Sequence, residues 1–537
     1  MVWNFGSILD GIADAVPGDS PALIHGAAPL PWASFTAHTN NLGRALRDAG
    51  LANGDKVAHL MRNSPAYLET TAACVKARLV HVNVNYRYAA QEIAYVLDNA
   101  DAAAVVYDTD FADVITELRP RLTKVRLFIE VCDGPPANPF AGAFADVTQA
   151  GDGAPLALDR SDDDLLFIYT GGTTGQPKGV MWRHEDLWRV LGAGSLSARV
   201  PRPADLAEHV ANVAAGRWRQ RLLVAAPLMH GAGLMMALNT LCLGGTVITA
   251  PGSSFDPDDV LRLAAMHRAD RLMLIGDSFA RPLLQALDRA PGAHDLSALK
   301  AINSTGVMWS PEVKAGLLRH LPDVLLVDTL GSSEAGSFAM NKTARGRQPR
   351  AAAFKINPAC RVFTEDLKPV EPGSDRVGLV ARSGPMPLGY YKDPDKTART
   401  FPTIDGQRWV ITGDWARVAA DGTLTLLGRG SMCINTGGEK VFAEEVEETL
   451  KRHPAIADAL VVGLPDARWG QALTAVVELA PGAAMDEAGL RAHVRAELAD
   501  YKAPKRLIAI DRVPRQANGK ADYAAARRYA QAHVERA

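Results

Sequence analysis

The chain alternates short apolar runs with segments whose apolar positions recur at helical spacing, the pattern of buried strands followed by one-sided helices. Residues 36–50 carry the helical spacing and stop at Gly50. Gly54-Asp55-Lys56 reads as a turn and residues 57–61 as the next strand. A helix near 67–77, a strand at 80–84, a helix near 91–99 and an apolar run at 102–107 follow. Later strand-like runs lie at 222–226, 246–250, 271–275, 301–304 and 324–328, with helical patterns at 259–267, 279–287 and 312–320. Ser310 followed by Pro311 is a helix start, a capping hydroxyl and then proline at the first position. Strands alternating with helices predict parallel α/β architecture.

From about Ala359 the pattern shifts to short strands between Pro-Gly and Asp-Gly turns, as at Pro372-Gly373, Asp405-Gly406 and Asp421-Gly422. This predicts a small β-rich unit. Beyond Gly428-Arg429-Gly430 the alternation returns on a smaller scale, with helices at 444–452 and 487–499 and strands at 459–463 and 474–479. That last part is long enough for an α+β domain of its own.

One stretch breaks the rhythm. After the apolar run that begins at Leu165 come Thr170, Gly171, Gly172, Thr173, Thr174, Gly175, Gln176, Pro177, Lys178 and Gly179. Glycines let the backbone turn sharply and come close to a ligand. Successive free N–H groups in such a turn form a concavity for anions. The threonine hydroxyls and the Lys178 ammonium add donors. The chemistry is that of a polyphosphate loop, and the Walker spacing Gly-x-x-x-x-Gly-Lys-Ser/Thr is absent.

Composition narrows the function classes. At 537 residues the chain exceeds one core, and its net charge of −2 gives no basic excess for nucleic acid or an anionic membrane surface. The first residues form no secretory signal, and no apolar run approaches the ~20 residues of a membrane span. Five scattered cysteines with no Cys-x-x-Cys pair argue against a disulfide framework and a zinc site, and a reducing cytoplasm is the natural setting.

By Lys178 the chain resembles the adenylate-forming superfamily of acyl-CoA synthetases, adenylation domains and luciferases, and later segments extend the resemblance over the whole length. It implies a large N-terminal α/β domain (1–428), a hinge (429–434) and a small mobile α+β C-terminal domain (435–537). By the same resemblance Thr170, Gly171, Gly172, Thr173, Thr174 and Lys178 wrap the phosphates of ATP. His230, in Pro227-Leu228-Met229-His230-Gly231-Ala232-Gly233, would lie beside the reacting carboxylate. In Asp328-Thr329-Leu330-Gly331-Ser332-Ser333-Glu334, the carboxylate of Glu334 matches the Mg²⁺ ligand, with Thr170 as a second candidate, and Ser333 matches an α-phosphate contact. Asp328, Thr329 and Leu330 would line the nucleotide. Asp414, in Thr412-Gly413-Asp414-Trp415, would receive the ribose diol, and Arg429 would assist. Lys520, in Asn518-Gly519-Lys520, would bridge the carboxylate and the α-phosphate. Gly437, Gly438 and Lys440 would face coenzyme A.

Four positions depart from the family pattern. The hinge reads Gly430-Ser431-Met432-Cys433-Ile434, without its usual Lys-Asp pair. Leu330 replaces an aromatic that commonly stacks on adenine, and Ala443 replaces a proline.

The wider motif context looks like actinobacterial FadD-type ligases for steroid side-chain and fatty acids. Small residues at Gly231, Ala232, Gly233 and Gly306, with Met235, Met236 and Met308, suggest a roomy, adaptable apolar pocket, to which Asp277, Ser304 and Thr305 also contribute. The implied activity is acyl-CoA ligation of a bulky apolar acid through an acyl adenylate, with ATP, Mg²⁺ and CoA. Three alternatives stay open: a ligase specialised for the thioester half-reaction, a carrier-protein-loading enzyme, and an acyl-adenylate-binding protein. A homodimer is one assembly the resemblance allows.

Overall fold

Alternating strand faces set the architecture of a five-stranded sheet, and the two larger sheets follow the strand–helix alternation of the sequence. The structure is a computed structural model that describes residues 3–170, 176–193, 195, 200–307, 309–347, 353–374, 376–429, 433–436, 439–466, 470–498, 500–516 and 519–535. Its contacts divide the chain into two units, Met1–Ala351 with Arg382–Val410, and Ala352–Ala381 with Ile411–Ala537.

The first unit holds two sheets. In one, the strands run in the order Gly389–Tyr390, Lys178–Arg183, Leu165–Thr170, Val80–Asn83, Lys56–Leu60, Ala102–Asp108, Leu127–Val131 and Gly142–Ala143. The strands from Leu165–Thr170 to Gly142–Ala143 are parallel neighbours. Val82, Val105, Phe128 and Phe167 belong to one buried apolar cluster that also takes Ile93 and Leu97 from the helix Ala90–Asn99. In the other, Leu325–Ser332, Ala301–Thr305, Arg271–Leu274, Arg221–Val224, Thr246–Thr249 and Pro21–His25 are parallel, flanked by the antiparallel Gly336–Thr343 and Ala28–Pro31.

Helix starts follow local chemistry. Ser310 accepts from Val313 N at 3.4 Å with Pro311 at the first position, as the sequence predicts. Asp256 caps Pro257–Met266 in the same manner.

One strand was not among those expected. Lys178–Arg183 follows the glycine-rich stretch and pairs antiparallel with Leu165–Thr170. It runs straight into the helix His184–Leu191 with no turn residue between them, so the sequence carries no punctuation that marks it.

The second unit contains the strands Cys360–Phe363, Thr423–Arg429 and Ala353–Ile356, with Gly378–Arg382 up to Ala381 and Val410–Val418 from Ile411 onwards, the β-rich part expected from the turn pattern. It also contains a five-stranded sheet of Glu439–Phe442, Cys433–Thr436, Gly470–Leu479, Ile456–Asp466 and Arg506–Ala509. Successive residues of Ile456–Asp466 point to opposite faces. Ala459 and Val461 pack with Val446, Leu450 and Leu490 of the helices Ala443–Lys451 and Glu487–Glu497. Leu460, Val462 and Leu464 pack with Ala526 and Ala530 of the helix Tyr523–Val534. Among the described residues no helix is long and apolar enough to cross a membrane.

Candidate active site

The hairpin places Thr170 opposite Lys178, at the two ends of the glycine-rich loop. Gly171, Gly172, Thr173 and Thr174 lie outside the described residues. Side chains grip the strand that feeds the loop. His81 Nδ1 donates to Phe167 O at 3.0 Å, and its Nε2 takes the Tyr67 hydroxyl at 3.1 Å. Burial pushes the His81 pKa down to about 4, so the ring is neutral. Asn83 accepts from Tyr169 N at 2.7 Å and donates to Tyr169 O at 2.8 Å and to Met229 O at 2.7 Å. One buried amide thus ties the residue before Thr170 to the residue before His230.

Asn63 secures the same second segment. It accepts from Leu228 N at 2.7 Å and donates to Ala226 O at 3.0 Å. His230 is the N-terminal boundary residue of the helix Gly231–Cys242, whose first-turn amides carry the positive end of the helix dipole. Gly231 stands against the next segment: a methyl group there would come within 3.3 Å of Ser333 Oγ and 3.5 Å of Ile168. The geometry therefore brings together His230, Ser333 and the strand of Thr170.

Glu334 sits in the tight turn between Leu325–Ser332 and Gly336–Thr343. Three donors from other segments hold three successive residues of this turn. Trp182 Nε1 donates to Ser333 O at 2.8 Å, the Tyr390 hydroxyl to Glu334 Oε1 at 2.8 Å, and Arg382 Nη1 to Ala335 O at 2.8 Å. Tyr390 lies on Gly389–Tyr390, which pairs with Lys178–Arg183. Three residues further on, Asp393 caps the helix Pro394–Thr400 through one carboxylate oxygen and pairs with Lys178 through the other. That lysine holds the Asp393 carboxyl below its ordinary value. Trp182, Arg382, Tyr390 and Asp393 were not among the candidate site residues of the sequence reading. Only the position of Tyr390 and Asp393 in one short Gly-Tyr-Tyr-Lys-Asp run hinted at them.

Several expected contacts have structural occupations. Asp328 is buried and its carboxylate meets Lys314 Nζ at 2.7 Å, with both side chains nearly inaccessible. Asp277 pairs with Arg281 and accepts from Ser310 N at 2.9 Å. Ser304 Oγ accepts from Gly276 N, and Thr305 donates to Thr329 O. Gly233 is small for a backbone reason, since a methyl group there would meet Pro227 O at 2.6 Å. Gly306 adopts φ +87° with open space beside its α-carbon. Met235 is buried, whereas Ala232 and Met236 share the half-buried face of their helix. Leu330 is half-buried at the end of its strand, and Met308 lies outside the described residues.

In the second unit, Asp414 stands opposite Arg429 in the antiparallel pair of Val410–Val418 and Thr423–Arg429. Asp414 is buried and accepts from the Thr412 hydroxyl. Lys440 lies on Glu439–Phe442, while Gly437, Gly438, Ser431 and Met432 lie outside the described residues. Lys520 is exposed and follows a short turn closed by the bridge between Arg515 and Ala521.

The described residues bring together the hairpin that carries Lys178, the fixed Glu334 turn and His230 at a helix start. The chain belongs to the AMP-binding enzyme family: residues 11–391 match the AMP-binding enzyme domain and residues 445–520 its C-terminal domain. It is 40% identical over 531 residues to a medium/long-chain-fatty-acid–CoA/3-oxocholest-4-en-26-oate–CoA ligase of Mycobacterium marinum, covering 97% of this chain and 96% of that protein. It is 38% identical over 531 residues to a 3-oxocholest-4-en-26-oate–CoA ligase of Rhodococcus rhodochrous, covering 97% and 95%. Among solved structures, ATP-bound MatB from Rhodopseudomonas palustris superimposes with a TM-score of 0.81 at 26% identity, covering 98% of this chain and 99% of that one. The anthranilate CoA ligase AuaEII with anthranoyl-AMP shares the fold, with a TM-score of 0.83 at 22% identity over 99% and 98%.

The Glu334 turn suits magnesium. Tyr390 occupies one lone-pair direction of one carboxylate oxygen and leaves the other oxygen available. Among the described residues no group of three or more His, Cys, Asp or Glu gathers to hold a metal. Mg²⁺ is commonly held by one or two carboxylates together with substrate phosphates and water, so a single fixed carboxylate fits it.

Proposed function

We propose that this chain is an ATP-dependent, AMP-forming acyl-CoA ligase for bulky apolar carboxylic acids, steroid side-chain acids first and medium or long fatty acids second. The fixed Glu334 turn beside His230 and the Thr170–Lys178 hairpin carries this reading. The mycobacterial and rhodococcal ligases support the acid class. In the first half-reaction an oxygen of the acid attacks the α-phosphorus of ATP and pyrophosphate leaves. In the second the thiol of CoA, losing its proton, attacks the acyl carbon and AMP leaves. Bound Mg²⁺ supplies charge neutralisation on the phosphates. Glu334 holds and orients that charge, Lys178 and Thr170 contact the phosphates, and Lys520 serves the first half-reaction.

The functional division proposed with it is 1–428, a hinge at 429–434, and 435–537. Cys74, Cys132, Cys242 and Cys360 are free thiols, which supports a reducing, cytoplasmic setting.

A panel of acids including 3-oxocholest-4-en-26-oate, a diterpenoid acid and fatty acids of graded length tests the reading. Each acid is assayed separately for ATP–pyrophosphate exchange and for the CoA thioester. The steroid acid is expected to give both, and a short fatty acid as the best substrate sinks the substrate class. The altered hinge and Leu330 favour a second reading, a ligase specialised for the thioester half. Thioester formation from synthetic acyl adenylate without exchange would establish it.

A further inference from the structure

Lys520 stands on a turn whose footing is visible within the second unit. The strand-like arms 514–516 and 520–522 are closed by Asp522 N to Pro514 O at 3.1 Å, Gln516 N to Lys520 O at 2.7 Å and Gly519 N to Gln516 O at 2.8 Å. These bonds close the two arms on one another. Two contacts tie them to the sheet: Val513 N donates to Glu478 Oε2 at 3.0 Å, and Arg515 adds a side-chain anchor. Its Nε and Nη2 donate to the two carboxylate oxygens of Asp458, each at 2.7 Å, and its Nη1 donates to Gly519 O at 3.2 Å. Asp458 lies on Ile456–Asp466, paired with Glu478 on Gly470–Leu479, inside the five-stranded sheet. The ion pair is only partly exposed, 28% and 20% at the two side chains. Bidentate pairing fixes the guanidinium plane, and the third donor then fixes the carbonyl immediately before Lys520.

We propose that Arg515, locked by Asp458, is a positioning residue that aims Lys520 for the adenylation half-reaction. The inference rests on the reading of Lys520 given above. A lysine at this position keeps a charge on Asp458 but cannot form the planar two-point pair and also reach Gly519 O. The turn then tilts while the sheet survives. Misplacement of a catalytic cation by about 1 Å costs on the order of 100-fold.

The test uses full-length Arg515→Lys, Asp458→Asn and Lys520→Ala, with 3-oxocholest-4-en-26-oate as the acid. Each variant is assayed for ATP–pyrophosphate exchange and, separately, for thioester formation from the synthetic acyl adenylate and CoA. Arg515→Lys is expected to lose about 10- to 100-fold in exchange, with thioester formation from the adenylate within about twofold of the parent. Asp458→Asn is expected to lose in the same direction by less. Equal losses in both half-reactions mark a merely structural pair and overturn the proposal. So does unchanged exchange in Arg515→Lys when Lys520→Ala has lost it. Exchange retained by Lys520→Ala overturns the reading of Lys520 itself, and the positioning role with it.

Discussion

The hydroxyl of Tyr390 donates to Glu334 Oε1 at 2.8 Å across 56 residues of sequence. The bond fixes the direction of the one carboxylate proposed to hold magnesium. Hydrogen bonds to charged groups contribute about 1.5–3 kcal/mol. Tyr390→Phe is therefore expected to weaken ATP binding by about tenfold in the presence of Mg²⁺ and to leave binding in excess EDTA unchanged. Isothermal titration under the two conditions reads the difference. Equal weakening in both would mean that Tyr390 does not act through Glu334.

The same turn shows where sequence reasoning stops. Glu334 was legible because its neighbours along the chain form a recognisable run, and the Ser310–Pro311 helix start was legible because a cap is a local contact. Trp182 and Arg382 lie 151 and 47 residues from the carbonyls they hold, and nothing local selects such partners. The partner of Asp328 was out of reach for the same reason. The motif around Asp328 suggested the nucleotide, and the preceding helix delivers Lys314 to it in the interior. The strand Lys178–Arg183 was hidden by its junction with a helix, although the chemistry of the loop before it was plain.

Asn83 ties two functional segments with one amide, satisfying Tyr169 N, Tyr169 O and Met229 O. Asn83→Ala leaves one buried donor and weakens two acceptors. A loss of about 2–4 kcal/mol in unfolding free energy is expected. Asn83→Asp preserves the acceptor but places a carboxylate against two carbonyls, so it is expected to be at least as damaging. Denaturant unfolding of both variants checks the order.

Lys314 and Asp328 form a buried pair, with Lys314 Nζ also 5.4 Å from the Trp309 ring centroid. Removing one partner strands a charge in the interior. Lys314→Met and Asp328→Leu are each expected to cost about 3–5 kcal/mol, and the double variant is expected to recover most of the loss. If Asp328 instead serves the nucleotide, the double variant regains stability yet loses ATP affinity, which titration calorimetry separates.

Glu447 supplies a pH signature. It is buried in the second unit, where its carboxyl accepts from Val461 N at 2.8 Å and from the Tyr523 hydroxyl at 3.1 Å. Burial, reinforced by Glu444 and Glu448 and opposed by Lys451 and the Val461 amide, pushes its pKa from the ordinary 4.5 up to about 8. Between those values the folded chain binds more protons than the unfolded chain, so this group's contribution falls as pH rises and levels off above about 8. The contribution is on the order of a few kcal/mol. Glu447→Gln keeps an acceptor for Val461 and cannot ionise. Unfolding free energies of parent and variant, measured from about pH 5 to about pH 9, are expected to diverge steadily, with the variant gaining relative stability towards alkaline pH. Parallel curves would mean that Glu447 is already ionised in the fold across that range.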